Sequence, residues 1–331
     1  MEVDEERVRL EAETSADPVT VSLGMPVYNG EAFVENAIKG VLAQSFGDYE
    51  LIISDNASTD RTREICLDYA RQDARITYVR QPENLGAVPN FRQVFELSRG
   101  RYFKWTAVDD RCHRTYLEKA VRMLESNPSA VWCHSRSSHI DANGVLLEEA
   151  GSQNVSYPER QSFDVRRRFR SVLLGKGGCH DTFGLIRREA LGKTPLFLPC
   201  YGAEKVLIAE LALLGDFVEI PETLFFSGVV DQASSNMRTA AEQQEFISTR
   251  RTWKTSFTRL TLLAGYLSAI RRSAPGVHQR MICLTVVLQW LFQVSKWRDV
   301  LLKTLRREGL GGRNIERLRR MNNSRGGGQT C

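Results

Sequence analysis

The sequence predicts an α/β protein, a mostly parallel sheet flanked by helices and followed by a C-terminal helical extension. Two observations carry this expectation. From Val19 onward, short apolar runs alternate with longer stretches whose apolar residues recur every three or four positions, the rhythm of repeated strand-helix units. That rhythm stops near 227–237, where turn-forming residues accumulate, and 240–310 then reads as helix alone.

In chain order, Val19 to Met25 forms a strand and Pro26 to Gly30 a turn. Glu31 to Gln44 is then a helix, with Phe33, Val34, Ala37, Ile38, Val41 and Leu42 on its apolar face. Tyr49 to Ser54 is the second strand; it runs into Asp55-Asn56-Ala57-Ser58-Thr59-Asp60, whose side chains suit the free N–H groups of the following helix, Thr62 to Arg71. Ile76 to Val79 is the third strand, and Asn84-Leu85-Gly86 loops into a helix over Pro89 to Ser98 that Arg99-Gly100 stops. Arg101 to Val108 is the fourth strand and closes on Asp109-Asp110. Helices are expected over Tyr116 to Ser126, Val165 to Leu174 and Ala203 to Leu214, with extended chain at Ala130 to His134 and Thr182 to Arg187. Ile140 to Leu146 reads as a hairpin-like turn.

Three regions follow: 1–17, an acidic and disordered leader without the basic start and apolar stretch of a signal peptide; 18–237, the α/β domain; and 238–331, a basic helical region with a flexible end. At 331 residues and 42% hydrophobic, the chain can bury a sizeable core. Its seven cysteines are scattered and never form C-x-x-C, so neither a disulfide framework nor a zinc site is indicated, and a cytoplasmic setting fits. The net charge of +5 hides an asymmetry: 238–331 holds 18 Lys/Arg against 5 Asp/Glu, about +13, which leaves about −8 elsewhere. Such a region suits an anionic membrane surface, or simply solvated helix faces. Nucleic acid is not indicated, since no aromatic-rich RNA signature or helix-turn-helix pattern accompanies the charge. Met281 to Val294 is an apolar run of 14 residues, short of the ~18 that span a bilayer, so a buried or membrane-surface helix is expected. Trp290, Phe292 and Trp297, beside Lys296 and Arg298, suit an interface peripheral to the inner face of a membrane, and core packing against the rest of the chain explains them equally well.

Ligands of open parallel sheets bind beyond the carboxyl ends of the strands, which directs attention to three strand ends. At the first, Pro26 to Gly30, Tyr28 offers a flat ring for a base and Asn29 an amide, although a plain strand-to-helix turn has the same composition. At the second, Asp55 and Asn56 could read the edge of a base or simply cap a helix. The third is Asp109-Asp110. Adjacent carboxylates closing an apolar strand repel each other and lose hydration, a cost that a cation offsets. Mg²⁺ and Mn²⁺ take few protein carboxylates and complete their shell with phosphate oxygens and water, as a nucleotide-diphosphate ligand would allow. A surface turn is the alternative.

Taken in order, these motifs resemble family 2 glycosyltransferases of the GT-A fold, an inverting class, over most of Val19 to Met237. MPVYNG is similar to the family's opening nucleotide loop, ELIISDNASTDRT to its second, and RQPENLGAVPNF with LSRGRYFKWTAVDD to the stretch that leads into its metal-binding aspartates. GLIRREAL and YGAEKVLIAELALLG resemble its acceptor side. The resemblance implies that Pro26, Tyr28, Asp55 and Asn56 form the base and ribose pocket, that Asp109 supports the nucleotide, and that Asp110 holds Mn²⁺ or Mg²⁺. Glu204 falls where the family has its catalytic base. The implied partners are a nucleotide-diphospho-sugar donor and a hydroxyl acceptor, a glycan, lipid-linked glycan or small molecule; a homo-oligomer is compatible. The chain departs from the pattern at Leu224 to Asp231, which has neither the Arg nor the His common there, with His113 and His180 as substitutes. That departure keeps open a second reading, a sugar-nucleotide-binding module with impaired turnover.

Overall fold

The computed structural model describes residues 19–147, 155–175, 180–200, 202–229, 246–248 and 258–292. The expected leader, most of the 227–237 boundary and the tail with Trp297 lie outside them. The chain divides into two compact units, Met1–Val286 and Val287–Cys331; of the second, only the end of one helix and one further residue are described.

The first unit begins with four strand-helix repeats: β1 (Val21–Val27), α1 (Val34–Leu42), β2 (Tyr49–Asp55), α2 (Thr62–Gln72), β3 (Ile76–Arg80), α3 (Ala87–Glu96), β4 (Tyr102–Trp105) and, after a short β5 (Arg111–Cys112), α4 (Tyr116–Ser126). There follow β6 (Ala130–Ile140), α5 (Val165–Leu174), β7 (Leu185–Arg187), α6 (Arg188–Gly192), α7 (Glu204–Leu214) and β8 (Asp216–Gly228), and then α8 (Thr258–Ser273) and α9 (Gly276–Leu291). Among the described residues the strands form one sheet in the order β3-β2-β1-β4-β7-β6-β8-β5. The first four run parallel; β7 is antiparallel to β4 and β6, β8 is parallel to β6, and β5 is antiparallel to β8. Strand order reverses between β1 and β4, and the crevice at their carboxyl ends is where such sheets bind ligands.

Apolar periodicity explains the layers. On one face, Leu23 and Met25 of β1 meet Val34, Ile38 and Val41 of α1 and Leu117, Val121 and Leu124 of α4. On the other, Phe91 and Phe95 of α3 join Phe103, Trp105 and Phe197 in edge-to-face ring pairs 4.9–5.3 Å apart. Beyond the sheet, α8 packs on α7, where the fully buried Glu210 carboxylate accepts hydrogen bonds from Arg272 Nε (2.6 Å), Arg272 Nη2 (2.8 Å) and Ser273 Oγ (2.8 Å). Helix α8 therefore belongs to the same compact unit as the sheet, Met1–Val286.

Three differences from the expected elements bear on function. The fourth strand ends at Trp105, so Thr106 to Asp110 leave the sheet as a loop. β6 continues to Ile140, and Ile140 bridges Leu146 across the expected turn. β8 was not foreseen, because Pro221 and the glutamates Glu219 and Glu222 break its apolar alternation. The structure accommodates Pro221 and Glu222 in a bulge, where pairing with β6 passes from Ser135↔Ile220 to Arg136↔Thr223.

Candidate active site

The loops after β1, β2, β3 and β4 converge at the switch point, and internal hydrogen bonds fix them to one another. Asn90 of α3 donates to the carbonyls of Ser54 (2.9 Å) and Val27 (3.3 Å) and accepts from Ser54 Oγ (2.6 Å), joining the ends of β1 and β2. The first two loops are stapled by Thr59 N donating to Asn29 Oδ1 (2.9 Å), Asn29 N to Ser58 Oγ (2.9 Å) and Gly30 N to Thr62 Oγ1 (2.8 Å). Asn29 and Ala57 hold left-handed backbone, φ 48° and 62°, a conformation rare for residues other than glycine and typical of functional loops.

The sequence-predicted residues take distinct places around this frame. Pro26 lies in β1 where β4 has already ended, so its missing N–H removes no ladder bond. Tyr28 is 48% exposed at the mouth of the site. Asp55 is fully buried and its oxygens serve the protein: Oδ1 accepts from Ser58 N (2.8 Å) and Oδ2 from Tyr78 Oη (2.7 Å), with Arg80 at 3.8 Å. Burial and this carboxylate push the Tyr78 phenol well up. Asn56, also buried, holds the next loop, donating to Asn84 Oδ1 (2.8 Å) and the Gly86 carbonyl (3.1 Å) and accepting from Leu85 N (3.0 Å). Gly86 has φ 89°, and a Cβ there would lie 2.5 Å from Ser248 Cα, so residues 246–248 come to rest on the loop that Asn56 shapes. Arg80, which the sequence reading passed over, donates from Nη2 to the Ser58 carbonyl (3.0 Å), while its buried Nη1 makes no hydrogen bond. Its signal was its place at the end of a parallel strand.

Asp109 is half-buried and Asp110 buried, on the loop that leaves β4. Burial raises the Asp109 carboxyl. Burial and the neighbouring Asp109 charge push Asp110 up to about 7, against hydrogen bonds that favour its ionised form. Those bonds come from the end of β8, through Gly228 N to Asp110 Oδ1 (3.1 Å) and the Ser227 hydroxyl. A Cβ on Gly228 would lie 2.3 Å from the Asp109 carbonyl oxygen, so this close approach requires glycine. Thus the segment without Arg or His contributes backbone and hydroxyl donors to Asp110. His113 does not join them; it is exposed, its ring pairs with Thr115 Oγ1 (2.9 Å), and its N–H donates to the Leu224 carbonyl (2.8 Å). The His180 side chain lies outside the described residues. No cluster of three His, Cys, Asp or Glu occurs among the described residues, so the pair offers a cation one or two carboxylates and leaves the remaining positions to a ligand or water. Mg²⁺ and Mn²⁺ fit such a donor set.

Beneath the pair is a cavity of about 330 Å³ whose walls include Ala37 and Gly40 of α1, Tyr116, Cys112, Asp110 and Lys104. Lys104, likewise passed over by the sequence reading, is a charged residue inside an apolar strand. Glu204 opens α7 and is half-buried; its carboxylate makes no hydrogen bond or ion pair among the described residues, and it helps, with burial, to push the Cys200 thiol up to about 12. The structure records no bond between Glu204 and the aspartates among the described residues.

TuaG of Bacillus subtilis (strain 168), named for teichuronic acid biosynthesis, is 36% identical over 144 residues, 44% of this chain and 55% of TuaG. WfgD of Escherichia coli is named as a glucosyltransferase from UDP-Glc to GlcNAc-diphosphoundecaprenol; it is 26% identical over 141 residues, 43% of this chain and 54% of WfgD. The matched stretch thus spans about half the length of these curated relatives. Among solved structures, S. aureus TarS 1-349 has TM-score 0.62 at 14% identity, covering 86% of this chain and 75% of TarS; its UDP-GlcNAc complex has TM-score 0.60 at 12% identity, covering 82% and 71%. These likenesses show a shared GT-A-type fold. Residues 22–194, more than half of the chain and including the loops after β1, β2, β3 and β4, match glycosyl transferase family 2, and the chain belongs to that family.

Proposed function

We propose that the protein is a divalent-metal-dependent, inverting glycosyltransferase that moves a sugar from a nucleotide-diphosphate donor to a hydroxyl acceptor in polysaccharide or glycolipid assembly. The observation that carries this reading is the Asp109-Asp110 pair at the switch point, Asp109 half-buried and Asp110 buried and pushed up to about 7. Bound there, Mn²⁺ or Mg²⁺ supplies positive charge for the departing diphosphate. Tyr28 stacks on the base at the mouth of the pocket, and Pro26 sets the rigid exit of β1. Asp55 and Asn56 act as builders of the base and ribose pocket, since their hydrogen bonds hold its walls. Asp109 supports the nucleotide. Glu204 takes the proton from the acceptor hydroxyl as that oxygen attacks the anomeric carbon; a single displacement of this kind inverts configuration.

The donor and acceptor for which WfgD is named support a uridine-diphosphate sugar as donor and a lipid-linked glycan as acceptor. Leu260 and Leu267 of α8 and Val277 and Met281 of α9 are exposed apolar residues at helical spacing, which suits contact with a membrane surface. No helix among the described residues is long and apolar enough to cross a bilayer.

A thermal-shift screen of nucleotide sugars with and without Mn²⁺, followed by transfer assays, tests the proposal. A stabilising donor, transfer that chelation abolishes, and loss of both in Asp110→Ala are expected. Full turnover with chelator present would overturn the metal role, and donor binding without turnover across a broad acceptor set would favour the impaired binding module that the missing Arg and His suggest.

A further inference from the structure

Lysine is among the residues least often buried whole, because its ammonium loses hydration that only a partner can replace. Lys104 is 2% exposed. Its Nζ donates to the Trp105 carbonyl (3.0 Å) and is boxed by the rings of Phe225 (5.3 Å), Tyr116 (5.4 Å) and Phe183 (6.0 Å). It forms no ion pair among the described residues. The carboxylate that shares the wall of the same cavity with it is Asp110, which feels its charge. The aromatic box stabilises a cation, and because Lys104 and Asp110 are both buried, the charge is felt at Asp110 with less screening than at the surface.

We infer that Lys104 is a built-in cation of the aspartate pair, a positioning residue that weakens the site's hold on a free divalent ion and strengthens its hold on the diphosphate of the donor. Two aspartates alone present two negative charges, which favour a free divalent ion and repel a diphosphate. With Lys104 beside them one of those charges is offset, so the free ion gains less and the diphosphate loses less. The inference rests on the reading of Asp110 as the metal-holding residue.

Mn²⁺ binding and metal-free UDP binding, each measured by calorimetry on the full chain, test it in the wild type and in Lys104→Met, Lys104→Gln and Lys104→Arg. Methionine fills the same volume without a buried charge, so that variant is expected to fold; glutamine provides a second neutral variant. Both neutral variants should bind Mn²⁺ about tenfold more tightly and metal-free UDP about tenfold more weakly, the order expected for removing one charge from a poorly screened site, while arginine keeps both affinities near wild type. A residue that only packs the site would loosen both ligands when replaced, and that result would overturn the inference. Mn²⁺ bound equally by wild type and both neutral variants would overturn it while leaving the metal reading intact. Absence of Mn²⁺ binding in the wild type, with or without UDP, would overturn the metal reading and this inference with it.

Discussion

Asp110 carries two costs at once, burial and the adjacent charge of Asp109, and both act against its ionised form. A carboxyl whose folded pKa lies above its unfolded value binds its proton more tightly when folded. Its contribution therefore falls as pH rises, with the penalty growing from near 4 to about 7 and fully present above that. A divalent ion competes with that proton. The stabilisation by Mn²⁺ in a thermal-shift assay should accordingly be larger at pH 8 than at pH 6, with affinity falling about tenfold for each unit below 7. Equal shifts at the two pH values would place the ion elsewhere. Asp55 shows how far residue type goes: a carboxylate at this strand end was legible, but whether it faces a ligand or Tyr78 and Arg80 depends on β3.

Elements set what these residues can do. The end of β8 reaches the aspartates only because Gly228 lets two backbones approach, so Gly228→Ala should destabilise the fold by about 1–3 kcal/mol, as overpacking does, and weaken Mn²⁺ binding. Denaturant unfolding and Mn²⁺ titration of the variant check this; unchanged values for both would show that the loop yields freely. The contact between α7 and α8 turns on a buried charge. In Arg272→Ala the Glu210 carboxylate keeps Ser273 but loses its cation, a change expected to cost about 3 kcal/mol. Hydrogen exchange should then show α8 opening ahead of the sheet, whereas uniform protection would argue against that order. Neither device was visible beforehand, because β8 hides its alternation behind Pro221 and its bulge, and the Glu210 pair spans 62 residues.

At the scale of the molecule, the loops after the first four strands occupy the stretch shared with the family, and the first unit extends beyond that stretch to Val286. The exposed apolar residues of α8 and α9 give this later part a surface of its own. In flotation with anionic vesicles, the full chain should rise with the lipid, and a Leu260→Glu/Met281→Glu double variant should lose most of that binding. Equal flotation of the two proteins would remove the membrane from the proposal. Such a surface, together with a lipid-linked acceptor, would let a transferase without a described spanning helix work at a membrane face.

The order of the first four strand-helix repeats, the three loops at their ends and the family itself were determined by the sequence, because apolar periodicity and turn chemistry are local and each unit repeats the last. Tertiary structure alone decided which side chains remain available. It enclosed Asp55 and Asn56, left Tyr28 exposed, brought Gly228 against Asp109, and set Lys104 beside Asp110 in a box built from α4, the 180–183 turn and β8. Burial, close approach and unscreened charge depend on residues far apart along the chain, which no local pattern records.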